Sequence, residues 1–261
     1  MKKIFSIIAF TLISSLLLSQ GMTINSAINK AGRQRMLSQR IVKAYIMIGS
    51  GFNVDQARKE LDESVALFEQ QFLELEEYAP TDDIKNGIVN VDKYWSKYRM
   101  LAVDAPNKLD ALILIARSND LLNACDEVVT LFEDYSGKKS AKLVNISGRQ
   151  RMLSQRIAML YFANYWGFPE NDIVKVDIVE NFDIATDLFL KSLKKLKKSS
   201  KNTDRINEGL SLVDSYWNIP RNGLNNITVE DLSLDDIYIS TNKILNEMNE
   251  ITGLYEKVMD D

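Results

Sequence analysis

The sequence predicts an all-α protein made of two tandem up-down four-helix bundle modules, and three observations predict it. First, the 261 residues include only 4 Pro and 11 Gly, and the long stretches between them are rich in Leu, Ile, Glu, Lys and Asn, which suits helices. Second, the ten residues GRQRMLSQRI occur twice without a change, at 32–41 and at 148–157. Third, two further segments recur in the same order: VDKYW at 91–95 with VDSYW at 213–217, and SNDLLNACDEVVTLFE at 118–133 with TNKILNEMNEITGLYE at 241–256. Matched segments in one order are the signature of an internal duplication.

The chain opens on MKKIFSIIAFTLISSLLLSQG. Lys2 and Lys3 form a charged start, Ile4 to Leu18 an apolar run, and Ser19-Gln20-Gly21 a small-residue cleavage site. Residues 1–21 therefore read as a secretory signal, which sends the rest to the periplasm. The alternative is an uncleaved inner-membrane anchor, against which the run is short and broken by serines. Module one, residues 22–137, is expected to hold helices near 23–50, 54–78, 82–101 and 108–136. The Gly49-Ser50-Gly51 turn, Ala79-Pro80-Thr81-Asp82 and Asp104-Ala105-Pro106-Asn107 separate them. Module two, residues 138–261, is expected to hold helices near 140–165, 171–198, 202–216 and 234–259, with breaks at 166–169, 197–203 and 219–231. Short connections make successive helices antiparallel. The brief link Gly137-Lys138-Lys139 favours the last helix of module one running almost directly into the second box helix, with the modules stacked end to end.

Composition removes several function classes. A net charge of -4 gives no basic field for nucleic acid. The chain has no histidine, so the commonest general base and metal ligand is missing. Neither a nucleophile elbow, nor a phosphate loop, nor a metal-ligand constellation is present, so the reading is not an enzyme and no cofactor is expected. Cys125 has no partner for an internal disulfide, and among Leu121, Leu122, Val128 and Val129 it reads as core. Trp95 and Trp217, with Tyr94 and Tyr216, also read as core. The basic stretch at 191–201 reads as a solvated helix end.

The repeated box carries the unusual chemistry. At about 100° per residue, Arg35 falls in the middle of the apolar stripe of Ile28, Ala31, Val42 and Ile46. Arg151 does the same among Val144, Ser147, Ala158 and Phe162. Arg33 and Arg40 share a separate polar edge with Asn29, and Arg149 and Arg156 share one with Asn145. An arginine in an apolar seam keeps its proton and needs a counter-charge or acceptors, and its planar fork suits a planar oxyanion. Gly32 and Gly148, one turn earlier, permit a close approach at the cost of about 1 kcal/mol each of helix propensity. Gln39 and Gln155, one turn later, offer neutral donors. Periodicity alone leaves a bound anion and a structural salt bridge to a facing acid equally open.

INKAGRQRMLSQRI and VNISGRQRMLSQRI resemble the signature of the PilJ/NarX-like sensor domains, the extracytoplasmic four-helix input modules of nitrate/nitrite sensor kinases and type IV pilus chemotaxis transducers. In nitrate-sensing members the arginine before the box methionine, one from each subunit, grips nitrate between first helices. The resemblance assigns that role to Arg35, before Met36, and Arg151, before Met152, with Gly32 and Gly148 lining the approach. Arg33-Gln34 and Arg149-Gln150 depart from the nitrate kinases and sit closer to the chemotaxis-transducer version. The resemblance implies an exported ligand-binding sensor protein that takes a small oxyanion such as nitrate or nitrite between box helices and signals to a membrane receptor or other protein partner. The alternative is a non-catalytic structural bundle that docks on a receptor or pilus-associated complex, with the box arginines as internal ion pairs. If the boxes meet within one chain, Arg35 and Arg151 form one site; if the modules stack, each box needs its twin in a homodimer.

Overall fold

The computed structural model describes residues 22–138, 141–168, 177–224 and 233–260. The proposed leader at 1–21 lies outside the described residues. Among them the chain is all-helical: α1 (Ile24–Gly49), α2 (Val54–Tyr78), α3 (Asp82–Ala102), α4 (Lys108–Ser136), α5 (Ala141–Trp166), α6 (Ile178–Lys197), α7 (Asp204–Leu224) and α8 (Leu234–Asp260). Most of these starts are capped by side chains. Thr23, Thr81, Asn107 and Asp177 accept hydrogen bonds from the backbone N–H groups of Ser26, Ile84, Asp110 and Glu180, satisfying donors that a helix start leaves orphaned. Two expected bounds move. α6 begins at Ile178, later than the predicted 171, and α7 continues past Tyr216 to Leu224.

α1 packs on α2 and α4, and α3 closes the ring against α4. α5, α6, α7 and α8 repeat that arrangement in the second half. The matched aromatics fasten the equivalent helices: Phe68 stacks on Trp95 at 3.9 Å, and Phe189 meets Trp217 at 4.6 Å. Both tryptophans and Cys125 are buried, as expected of core residues.

End-to-end stacking does not occur. Gly137 adopts a left-handed conformation, φ 60°, and ends α4, a turn that glycine makes without steric penalty. An even number of antiparallel helices returns the chain to the end where it started. The short link therefore delivers α5 beside α1, which becomes its principal neighbour. The two box helices run parallel and in register: a Cβ on Gly32 would come within 3.6 Å of the Arg151 guanidinium, and one on Gly49 would strike Trp166. α1 is thus surrounded by α2, α4, α5 and α8. That explains a helix whose buried residues include Asn25, Asn29, Gln34, Arg35, Ser38, Gln39 and Lys43 beside its apolar ones.

Candidate functional site

The two boxes bring Arg35 and Arg151 together on the α1/α5 seam, both with no exposed surface. The Nη2 atoms of both arginines lie within 3.6 Å of the point where Gly32 would carry a Cβ, and both lie within 3.7 Å of the matching point on Gly148. At both glycines the guanidinium nitrogens lie against the position a Cβ would take. Each arginine reaches across the seam. Arg35 Nη2 donates to Asn145 Oδ1 at 2.8 Å, and Arg151 Nη2 donates to the Asn29 carbonyl at 3.2 Å. Nε of each arginine has no hydrogen-bond partner in the described structure.

The counter-charges differ. Arg35 Nη1 pairs with the carboxylate of Asp126 on α4, and Arg149 Nη2 donates to both oxygens of that carboxylate at 3.0 and 3.2 Å. Arg151 Nη1 instead donates to the amide oxygen of Asn249 on α8 at 3.1 Å. In the repeat alignment Asn249 is the counterpart of Asp126. Burial lowers the pKa of Arg35, and Asp126 opposes that shift. Burial lowers that of Arg151 much further, and the nearby Arg33 and Arg35 add to the effect, with only Glu256 in opposition. Arginine keeps its proton even so, so these shifts measure the cost of holding charge there. Burial pushes the Asp126 carboxyl up, but Arg35 and Arg149 outweigh it and hold it below the usual range.

The edge residues are split between two clefts. Arg33 and Arg40 line a cleft of about 430 Å³ between α1, α2 and α8. Arg149 and Asn145 line a second, smaller cleft, about 220 Å³, between α4, α5 and α6. Asn29 donates to Glu256 at 2.6 Å and Asn145 to Glu133 at 2.5 Å, a symmetric pair of links between the halves. Arg156 donates to Asn119, Asn181 and Gln39. Gln39 and Gln155 do not serve the arginine pair as expected. Their amide nitrogens turn to the backbone of α4 and α8, at the carbonyls of Ser118 and Thr241, while Gln39 Oε1 accepts from Arg156 across the seam.

Sequence reasoning missed the residues that set the charge: Asp126, Asn249 and a buried cluster around Glu60. Lys43 is fully buried, 2.9 Å from Glu60 Oε2, and Arg40 approaches the same oxygen at 3.6 Å. Burial pulls the Lys43 pKa down to about 8, against the pull of Glu60. In the second half the corresponding residues are Met159, Arg156 and Asn181. The signal for 126 and 249 was present, as one aspartate facing one asparagine in two aligned segments, among other differences such as Asp120 against Lys243 and Ala124 against Glu247. Among the described residues no group of His, Cys, Asp and Glu is placed to hold a metal ion. No helix there is long and apolar enough to cross a membrane.

Residues 16–121 match the PilJ family, described as the type IV pili methyl-accepting chemotaxis transducer N-terminal region. The first box lies within that match and the second lies beyond it. No curated protein and no solved structure matches the chain.

Proposed function

We propose that this chain, which carries a PilJ-family sensor region over residues 16–121, is an exported two-module sensor that binds one small oxyanion, of the nitrate or nitrite kind, between its own box helices. The second box helix, α5, and the three helices after it act as the second copy of the module. The observation that carries this reading is the excess of buried charge on the seam. Two fully buried guanidiniums converge between Gly32 and Gly148, and the described structure gives the pair one carboxylate, Asp126. A buried cation without a counter-charge is strongly destabilising, so an anion that supplies the missing charge favours the packing in which both arginines face it. The signal is that shift between α1 and α5, read by a protein partner at the membrane.

The Arg35–Asp126 pair favours a second reading for one of the two arginines, an internal ion pair that needs no ligand. Arg151 does not share it, because Asn249 is neutral. One experiment separates the readings. Thermal unfolding of the full chain is followed in nitrate, nitrite, sulfate, chloride and acetate at constant ionic strength, beside Arg151→Gln. A saturable gain selective for nitrate or nitrite, lost in the variant, supports the sensor. The same stability in all five anions, with Arg151→Gln as stable as the parent, sinks it and leaves a structural bundle that docks on a partner.

A further inference from the structure

The geometry points to a second binding site, separate from the seam: the cleft between α1, α2 and α8, where Arg33, Arg40 and Asn249 receive the carboxylate of a small organic acid. The two halves of the molecule supply the argument. In the first half a protein carboxylate, Asp126, sits between Arg35 of one box and Arg149 of the other. The duplication places Asn249 where that carboxylate stands, between Arg151 and Arg33. Arg151 uses the amide oxygen. Arg33, the counterpart of Arg149, lines the cleft together with Asn249 and forms no hydrogen bond or ion pair among the described residues.

The acids whose fields reach Arg33 are Glu256 and Glu74. Glu74 is paired with Lys30 and accepts from Gln70, and Glu256 is held by the neutral Asn29 amide, so it acts on Arg33 through space without an ion pair to it. The acid inside the cleft, Glu60, is committed too. It holds Lys43 and accepts from Tyr238 at 2.7 Å and Asn242 at 3.3 Å. Lys43 and Arg40 share Glu60, so Arg33 is the cleft-wall cation that has no ion pair among the described residues, with Arg40 beside it on the same wall.

Size and lining set the ligand class. About 430 Å³ falls in the range of small-molecule sites and is spacious for a bare inorganic ion. Met36, Leu67 and Leu245 supply apolar wall beside the cations. That combination fits an acid with a short carbon body, which is also what Asp126 presents to its own two arginines. The opposite cleft is half as large, and its arginine, Arg149, is already satisfied by Asp126. The asymmetry therefore predicts one such site per chain.

The test is calorimetric titration of the full chain with acetate, propionate and succinate at fixed ionic strength in a chloride buffer, repeated in the presence of nitrate. Saturable binding of at least one acid, weakened tenfold or more in Arg33→Gln and abolished in Asn249→Asp, is the expected result. Asn249→Asp plants the missing carboxylate, so it should melt higher than the parent, and its loss of binding is not a loss of fold. Arg35→Gln should retain acid binding, because Arg35 serves the seam and not the cleft. The inference is overturned if no acid binds the folded chain, or if binding survives unchanged in both Arg33→Gln and Asn249→Asp. Nitrate displacing the acid one for one would also overturn it, since a single seam site then explains everything. Failure of nitrate to bind at all would count against the seam and leave the cleft standing.

Discussion

Around Asp126, on α4, two arginines share one carboxylate, whereas around Asn249, on α8, the equivalent place offers an amide. The duplication preserved packing on both sides. Phe68 and Trp95 stack as Phe189 and Trp217 do, and Gln34 donates to the Phe68 carbonyl as Gln150 does to that of Phe189. Charge did not follow the same rule. Where Lys43 and Glu60 form a complete buried pair, the second half has Met159 and Asn181, so both charges disappear together. At 126 and 249 only the acid disappears and both arginines remain. Removing a whole buried pair is often close to neutral, while removing one partner is costly. The lone change from aspartate to asparagine therefore keeps an electrostatic cost that packing alone would not select. Such a cost is what the proposed anion would offset.

The comparison can be broken most severely at Glu60. Glu60→Asn copies one residue of the second half and strands Lys43 in the core, at a cost of about 3–5 kcal/mol in urea unfolding at pH 7. Adding Lys43→Met completes the copy and should recover most of that loss. The same double variant should lose a pH signature. Between about 8 and the ordinary lysine value of 10.5, the folded state leaves Lys43 neutral while the unfolded chain still holds the proton, so this residue makes the parent's stability rise with pH. Subtracting the double variant's pH curve from the parent's should isolate that rise.

The next effect is the exchange of 126 and 249. Asp126→Asn should cost about 1.5–3 kcal/mol, the worth of hydrogen bonds between charged groups, since the carboxylate is partly solvated. It should also make stability depend more strongly on the anion in the buffer than it does in the parent. Asn249→Asp should move stability the other way and remove that dependence. Acid titration sharpens the same point. Asp126 ionises below the usual carboxylate range when folded, so its contribution is complete above about pH 4 and is lost as pH falls through the folded value. Urea midpoints between pH 2 and 7 should therefore fall less steeply in Asp126→Asn than in the parent.

Glycines give the smallest effect and a clean control. A Cβ on Gly148 would lie 3.0 Å from Arg151 Nη2, whereas one on Gly253 meets nothing within 4 Å. Gly253→Ala should gain up to about 1 kcal/mol from helix propensity. Gly148→Ala should fall short of that gain and weaken any anion response by displacing the guanidinium, as paired melting curves with and without nitrate would show.

How much of this was legible before folding follows from range. The helices were readable because they depend on neighbours within a few turns, and the repeat because identical residues can be matched at any distance. So was the burial of Arg35 and Arg151, because the apolar period around each box is a local property. Gln39 and Gln155 were misplaced because a periodic stripe gives a direction around a helix, and not which neighbour lies in that direction. The modules were expected to stack because a three-residue link looks like a continuing helix. Gly137, in its left-handed turn, returns the chain instead. Asp126 meets Arg35 across 91 residues of sequence, a separation at which no periodicity carries information. The sequence by itself determined that each box buries an arginine in helix. Only the tertiary structure decided which arginine received an acid, because a partner across a seam is set by the rotation and register of whole helices.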